Sequence, residues 1–293
     1  MKFLLIGASG FVGGNIMAFL RSRGFTVMGT QSRPRREGLI TFDLLHHRIT
    51  DCVDRSFFQG PEKVHVLVCA VVGSIDRCLT DRSISHTINV AHTIRLIDDV
   101  SALGAKVTFF SSCYVFDGER GYYNEDAPTS PINEYGRHKL EVENYLKQNV
   151  PGSLVLRLEK VIGHNPAEDH FFTQWHKLLA EGKPICCIEG SLLSPTWVND
   201  IALGFLRASE LDVEGLYHLA NSEFFFRDEL ARQFCWTLGR PANVITKPLE
   251  GFHFLEKRPL KTFLDGSRFV KKTGLHFTPM RDLFHEFIRR LRP

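Results

Sequence analysis

An α/β fold, with a doubly wound parallel sheet followed by a smaller C-terminal lobe, is predicted by three features of the sequence. Apolar runs of strand length alternate with amphipathic stretches of helix length, the alternation starts at the first residue, and its rhythm changes after about residue 160. The runs are KFLLIG (2–7), FTVMGT (25–30), GLITFDL (38–44), VHVLVCA (64–70), KVTFFSS (106–112) and SLVLRLEKVIG (153–163). Their near-continuous hydrophobicity suits strands covered on both faces, as in a parallel sheet. Helical periodicity over 11–23, 83–103 and 133–149 supplies the crossovers between them. Later helical segments, near 168–181, 199–209, 227–238 and 279–292, are separated by loops containing Pro and Gly.

Composition narrows the function classes. With 43% hydrophobic and 24% charged residues, the chain of 293 has an ordinary globular balance and enough length for a large core. A formal charge of +3 is too slight to imply nucleic acid as a partner. The seven cysteines form an odd set without a C-x-x-C pair, which fits free thiols in a reducing compartment and no metal site. The opening apolar run breaks at Gly7, too early for an export signal, and no later run is of membrane-spanning length. A cytoplasmic protein without membrane partners is expected.

IGASGFVGGN follows the first strand and places Gly7, Gly10 and Gly13 at the spacing G-x-x-G-x-x-G, where a helix begins. Gly7 permits the tight turn, Gly10 lets a pyrophosphate approach the backbone, and Gly13 lets helix and strand pack closely. The helix N-terminus favours the anion. This predicts a Rossmann-type dinucleotide site. An acid at the end of the second strand would bind the ribose 2′-hydroxyl of NAD. GTQSRPRRE has Thr30 there instead, followed by Arg33, Arg35 and Arg36, so NADP(H) is the expected cofactor, with Arg33 on its phosphate. Asp43 either accepts from the adenine amino group, with Leu44 covering the ring, or caps a following helix. The expected division is an NADP(H)-binding domain over 1–160 and a substrate-binding lobe over 161–293 that sends segments back to the first domain.

Ligands of a parallel sheet lie at the carboxyl ends of its strands. KVTFFSS ends there, so Ser112 should face the nicotinamide. In PINEYGRHKLEVENYL, Tyr135 and Lys139 share one helix face, one turn apart. Carbonyl reduction needs a proton donor beside the oxygen that becomes alkoxide. Tyrosine, with an ordinary pKa of about 10, needs a cationic neighbour to exchange protons near neutrality. Ser112 would hold the substrate oxygen and Tyr135 would exchange the proton. Lys139 would bind the nicotinamide ribose and lower the tyrosine pKa.

Taken together, the glycine loop, the serine at the end of strand five and Y-x-x-x-K resemble the extended short-chain dehydrogenase/reductases. SSCYVFDGERGYYNEDAPTSPINEYGRHKLEVE, SPTWVNDIA (194–202) and RPLKTFLDGSRFVKKTGL (258–275) are similar to the dTDP-4-dehydrorhamnose reductase family within them. That resemblance implies that Phe11 and Val12 join Gly10 in the phosphate turn. It likewise places Ala70, Val71 and Val72 along the adenosine and ribose path, Phe110 before the catalytic strand end, and Asn89 as a brace. It implies a keto-sugar substrate, nucleotide-linked, and a homodimer. The chain departs from the family at His138, read as a surface substitution, at Ser112 for threonine, at Cys113 for aspartate, and at Glu159 and Lys160. Trp197 either stacks a substrate ring or packs between the lobes. Lys160, His164 and His170 either meet a diphosphate or stay solvated. Two other readings stand beside the reductase: a nucleotide-sugar epimerase or dehydratase, and a non-catalytic NADP-binding regulatory subunit.

Overall fold

Alternate residues of a strand point to opposite faces, and in KFLLI both faces are apolar. Phe3 and Leu5 join one buried cluster while Leu4 and Ile6 join another. That first strand, β1 (Lys2–Ile6), is therefore central, and the computed structural model, which describes residues 1–291 except Arg35 and His164, bears this out. β2 (Thr26–Gln31), β3 (Ile40–Thr41), β4 (Val64–Val68), β5 (Lys106–Ser112) and β6 (Leu154–Leu158) lie parallel to it. A further parallel strand, Gly215–Leu219, closes the far edge, giving a seven-stranded sheet. From that edge the order continues β6, β5, β4, β1, β2, β3, so the winding reverses between β4 and β1. The fold is α/β, a doubly wound parallel sheet.

Helix α1 (Phe11–Ser22) covers one face with Ile16 and Leu20, and the helix Val198–Glu210 lies beside it with Ile201 and Phe205. The helices His92–Ala102 and Glu134–Asn149 cover the other face through Leu96, Ile97, Val100, Val142 and Leu146. Each such side chain, fully buried, contributes about 1.5–3 kcal/mol. A third cluster, built on Phe172, Trp175, Phe234 and Phe287, forms the core of the C-terminal lobe.

Three local expectations need correction. The continuous helix expected over 83–103 is interrupted by a π-type turn at Thr87–Ala91, where the Thr93 hydroxyl donates to the Ile88 carbonyl at 2.8 Å and satisfies the displaced acceptor. The strand expected over 153–163 leaves the sheet after Leu158, and Val161–Ile162 pairs instead with Thr196–Trp197 to open the lobe. The strand expected over 38–44 is only the pair Ile40–Thr41, because Asp43 starts a turn.

Candidate active site

The turn after β1 depends on close backbone contacts. Gly7 has φ +93°, and a Cβ there would meet the Ala70 nitrogen at 2.8 Å. A Cβ on Gly13 would fall 2.5 Å from the Gly7 carbonyl oxygen. Gly10 is the extended, exposed cap of α1; no side chain caps that helix and its first turn holds no acid. The N–H groups of Phe11, Val12 and Gly13 therefore lack helical partners and are open to an anion.

A cavity of about 520 Å³ opens beside this turn, within the size range of ligand pockets. Gly7, Gly10, Phe11, Val12, Gly13, Thr30, Arg33, Asp43, Leu44, Ala70, Val71 and Val72 all line it, together with Ser9, Ser32 and Arg77, which the sequence reading did not single out. Thr30 is buried, and its Oγ1 accepts from the Gly7 N–H at 3.0 Å, so the hydroxyl supports the glycine turn. Arg33 stands exposed at the lip. Arg36 turns away: its backbone is held by Gln31, and its guanidinium lies over Gly14. Arg35 and His164 lie outside the described residues. One Asp43 carboxylate oxygen accepts from the Leu45 N–H at 2.9 Å, an Asx turn and not a helix cap. Asn89 clamps the cavity wall by accepting from the Val72 N–H at 2.8 Å and donating to the Val72 carbonyl at 3.2 Å.

At the carboxyl end of β5, the Ser112 hydroxyl accepts from the Tyr114 N–H at 3.2 Å. Asn133 caps the helix Glu134–Asn149 through the Gly136 N–H at 2.9 Å. Gly136 makes the approach possible, since a Cβ there would lie 2.0 Å from the Tyr114 carbonyl oxygen. Tyr135 is thereby set edge-on to Tyr114, ring centres 5.9 Å apart. The Lys139 ammonium sits 5.8 Å from the Tyr135 ring centre and donates to the Phe110 carbonyl at 2.7 Å. Phe110 itself is buried in the core, and its part in this arrangement is its carbonyl. Farther along the same helix, Glu143 takes a buried ion pair from Arg157 of β6 at 2.6 Å, fixing the helix against the sheet.

The electrostatics differ from the sequence expectation. Burial pushes the Tyr135 phenol up, helped by Cys113 and Tyr114 and opposed by Ser112. Burial also lowers the Lys139 ammonium to about 8. The lysine is engaged by the Phe110 carbonyl, and desolvation dominates the phenol. Burial likewise drives the Cys113 thiol well above its ordinary value, so it offers no acid or base near neutrality. His138 is not on the surface. It is buried, its Nδ1 is 3.4 Å from Asn89 Nδ2, and burial lowers its pKa, because the π-type turn brings Asn89 and His86 against it.

Beyond β6, Glu159 is buried and ties three segments together. Its carboxylate accepts from the Lys160 N–H at 2.5 Å, the Ser194 N–H at 3.1 Å and the Thr262 hydroxyl. Lys160 is an exposed residue whose ammonium lies over the Phe171 ring at 5.8 Å and is lowered by desolvation. Trp197 packs partly buried against the lobe's core. His170 is buried and stacks on Phe11 at 5.7 Å, so it joins the lobe to the phosphate turn. Among the described residues, no group of His, Cys, Asp or Glu could hold a metal ion, and no helix is long and apolar enough to cross a membrane.

The model of the RmlD substrate binding domain matches residues 1–292. The chain belongs to that family. It is similar to a probable low-salt glycan biosynthesis reductase (Agl14) of Haloferax volcanii, 26% identical over 96% of this chain and 95% of that protein. It is equally similar, at 26%, to methionine adenosyltransferase 2 subunit beta of Xenopus tropicalis, over 96% and 85%. Among solved structures, a hypothetical dTDP-4-dehydrorhamnose reductase from Sulfolobus tokodaii is 27% identical with TM-score 0.84, over 97% of this chain and 99% of that one. The dTDP-4-dehydrorhamnose reductase of Bacillus anthracis, in complex with NADP, shares the fold at 22% identity and TM-score 0.79, over 99% of each chain. Within this RmlD-type chain, the sequence reading passed over Ser9, Ser32 and Arg77 in the cavity wall and Gly136 beside Tyr135. Gly136 had a visible signal, a glycine inside a helical pattern, which carries a packing reason when retained.

Proposed function

We propose that this chain is an NADP(H)-dependent reductase of a keto-sugar, nucleotide-linked, acting through Ser112, Tyr135 and Lys139. The observation that carries this reading is the Lys139 ammonium, 5.8 Å from the Tyr135 ring and bonded to the Phe110 carbonyl two residues before Ser112, in a sheet whose glycine turn opens on a cavity of about 520 Å³. Thr30 in place of an acid, with Arg33 at the lip, supports the phosphorylated cofactor. The residues fit that group: Gly10 to Gly13 receive the pyrophosphate, Arg33 the 2′-phosphate, Asp43 and Leu44 the adenine, and Lys139 the nicotinamide ribose. The lobe after residue 160 receives the sugar.

The nicotinamide, when bound, supplies the hydride. Ser112 holds the carbonyl oxygen, and Tyr135 gives it the phenolic proton as alkoxide character develops. Lys139 would hold the nicotinamide ribose, and its charge beside the phenol would favour the phenolate. The buried, protonated Cys113 disfavours the epimerase or dehydratase reading, which calls for a further acid or base there. The regulatory-subunit reading is favoured by one observation, the equal identity to methionine adenosyltransferase 2 subunit beta.

Replacing Tyr135 with Phe separates the two. The ring keeps its packing against Tyr114, NADPH binding is retained, and NADPH oxidation with a nucleotide-linked keto-sugar falls by roughly 10²–10⁴-fold. A native protein that binds NADPH yet oxidises none across a panel of such sugars would establish the regulatory reading instead.

A further inference from the structure

His138 sits in the helix Glu134–Asn149 directly before Lys139, is 3% exposed, and takes no part in the proton transfer proposed for its neighbours. Its Nδ1 lies 3.4 Å from Asn89 Nδ2, and the roles in that contact are set by what Asn89 touches on its other side. The Val72 N–H can only donate, so the Asn89 atom 2.8 Å from it is the amide oxygen. One Nδ2 hydrogen then goes to the Val72 carbonyl at 3.2 Å, and the other faces His138. The Cys78 thiol, 3.7 Å from Nδ2, is the weaker acceptor and itself donates to the Val72 carbonyl at 3.2 Å. Two donors cannot share one hydrogen bond. His138 Nδ1 therefore accepts, and the imidazole is neutral with its proton on Nε2.

Val72 lines the cavity beside the glycine turn, so contacts run unbroken from His138 through Asn89 to that wall. Protonating Nδ1 would set two donors face to face. Turning the Asn89 amide over would satisfy the imidazolium but would place Nδ2 against the Val72 N–H, so either way the clamp is lost. The surroundings oppose that proton. From the helix Arg82–His86, the His86 ring meets His138 edge-on at 5.5 Å and pairs with Glu141 at 3.3 Å. On its own helix stand Glu134, paired with Arg82 and Arg137, and Lys139, turned to the Phe110 carbonyl. Glu256 reaches in from the lobe to Arg137 at 3.2 Å, and Cys78, from the helix Ile75–Thr80, stays a neutral thiol because burial pushes it up to about 11. Burial and then His86 lower the proton affinity of His138, against the opposite pull of Glu134 and Glu141.

We propose that His138 is a positioning residue for the cofactor: as a neutral acceptor it holds Asn89 in the orientation that clamps Val72, and its protonation releases that wall of the cavity. The inference rests on reading the cavity as the nicotinamide-cofactor site and requires no particular substrate. The sign follows from the tautomer. The clamped state excludes the proton, so cofactor affinity is full where His138 is neutral and is lost as pH falls through its folded value, which lies below the ordinary 6.5.

The test is fluorescence titration of NADPH into the full chain and its His138→Gln and His138→Leu variants from about pH 8 to about pH 5, with circular dichroism confirming the fold at each pH. Glutamine accepts a hydrogen bond and does not titrate, whereas leucine cannot accept at all. At pH 8 the Gln variant should restore native affinity while the Leu variant binds about tenfold weaker. Toward pH 5 the native protein should lose about tenfold relative to the Gln variant, the loss expected when about a tenth of the protonated chains keep the clamp. Titration of the cofactor's own phosphate is common to all three proteins and cancels in the ratio. A constant native-to-Gln ratio across the range, or native affinity in the Leu variant at pH 8, would overturn the proposal and leave the cofactor reading standing. No NADPH binding by the native protein at any pH would reject both. Long-range ¹H–¹⁵N correlation of the native imidazole at pH 8 gives a reading independent of any variant: a proton on Nε2 and a bare Nδ1 are expected, and the reverse tautomer overturns the assignment.

Discussion

Replacing Lys139 with Met keeps a long unbranched stem in the helix and removes only the ammonium. The group is 5% exposed, and burial lowers it from 10.5 to about 8. At 1.36 kcal/mol per tenfold in proton affinity, holding the charged lysine here costs about 3 kcal/mol relative to water. The folded value lies below the unfolded one, so between about pH 8 and 10.5 the unfolded chain binds more protons and native stability rises with pH. Below pH 8 both states are charged and the full cost persists. The Met variant lacks this contribution but deprives the Phe110 carbonyl of its donor, which costs about 1–3 kcal/mol. Near pH 7 the two effects nearly offset, and the variant unfolds close to the native midpoint. Urea denaturation of the cofactor-free proteins from pH 7 to 10.5 should show native stability gaining on the variant by up to about 3 kcal/mol across that window. Parallel stability–pH curves would refute a buried, desolvated ammonium. Activity, by contrast, should be lost in the variant at every pH.

Arg33→Ala should weaken NADPH by roughly tenfold or more while leaving NADH nearly unchanged, as read by fluorescence titration; equal losses would remove the arginine from the phosphate. Gly136→Ala forces a Cβ against the Tyr114 carbonyl, 2.0 Å away, and should lower unfolding free energy by at least ~1–3 kcal/mol while displacing Tyr135 and depressing turnover. A variant with native stability and turnover would show that this approach is not needed. Asn89→Ala strands the Val72 N–H and carbonyl and should cost about 1–3 kcal/mol in stability, together with weaker NADPH binding. Unaltered cofactor affinity would confine Asn89 to helix packing.

What was legible in the sequence is what local rules govern. KFLLI declared a strand buried on both faces because apolar residues occupy both parities. The glycine turn was legible because backbone approach admits only glycine at Gly7 and Gly13. Tyr135 and Lys139 were legible as a pair because helix geometry sets side chains four apart on one face. The tertiary structure decided everything that depends on which segments meet. The edge strand Gly215–Leu219 was missed because its partly exposed GLYHL pattern carries little periodicity, and β6 supplies its pairing across a long sequence separation. His138 looked exposed beside a lysine presumed active, yet the π-type turn buries it against Asn89 and His86. Glu159 could not be known as a tie between Ser194 and Thr262, because no local spacing relates them. Even the proton affinity of Tyr135 escaped the sequence, which supplies the lysine but not the carbonyl that engages it or the burial that raises the phenol.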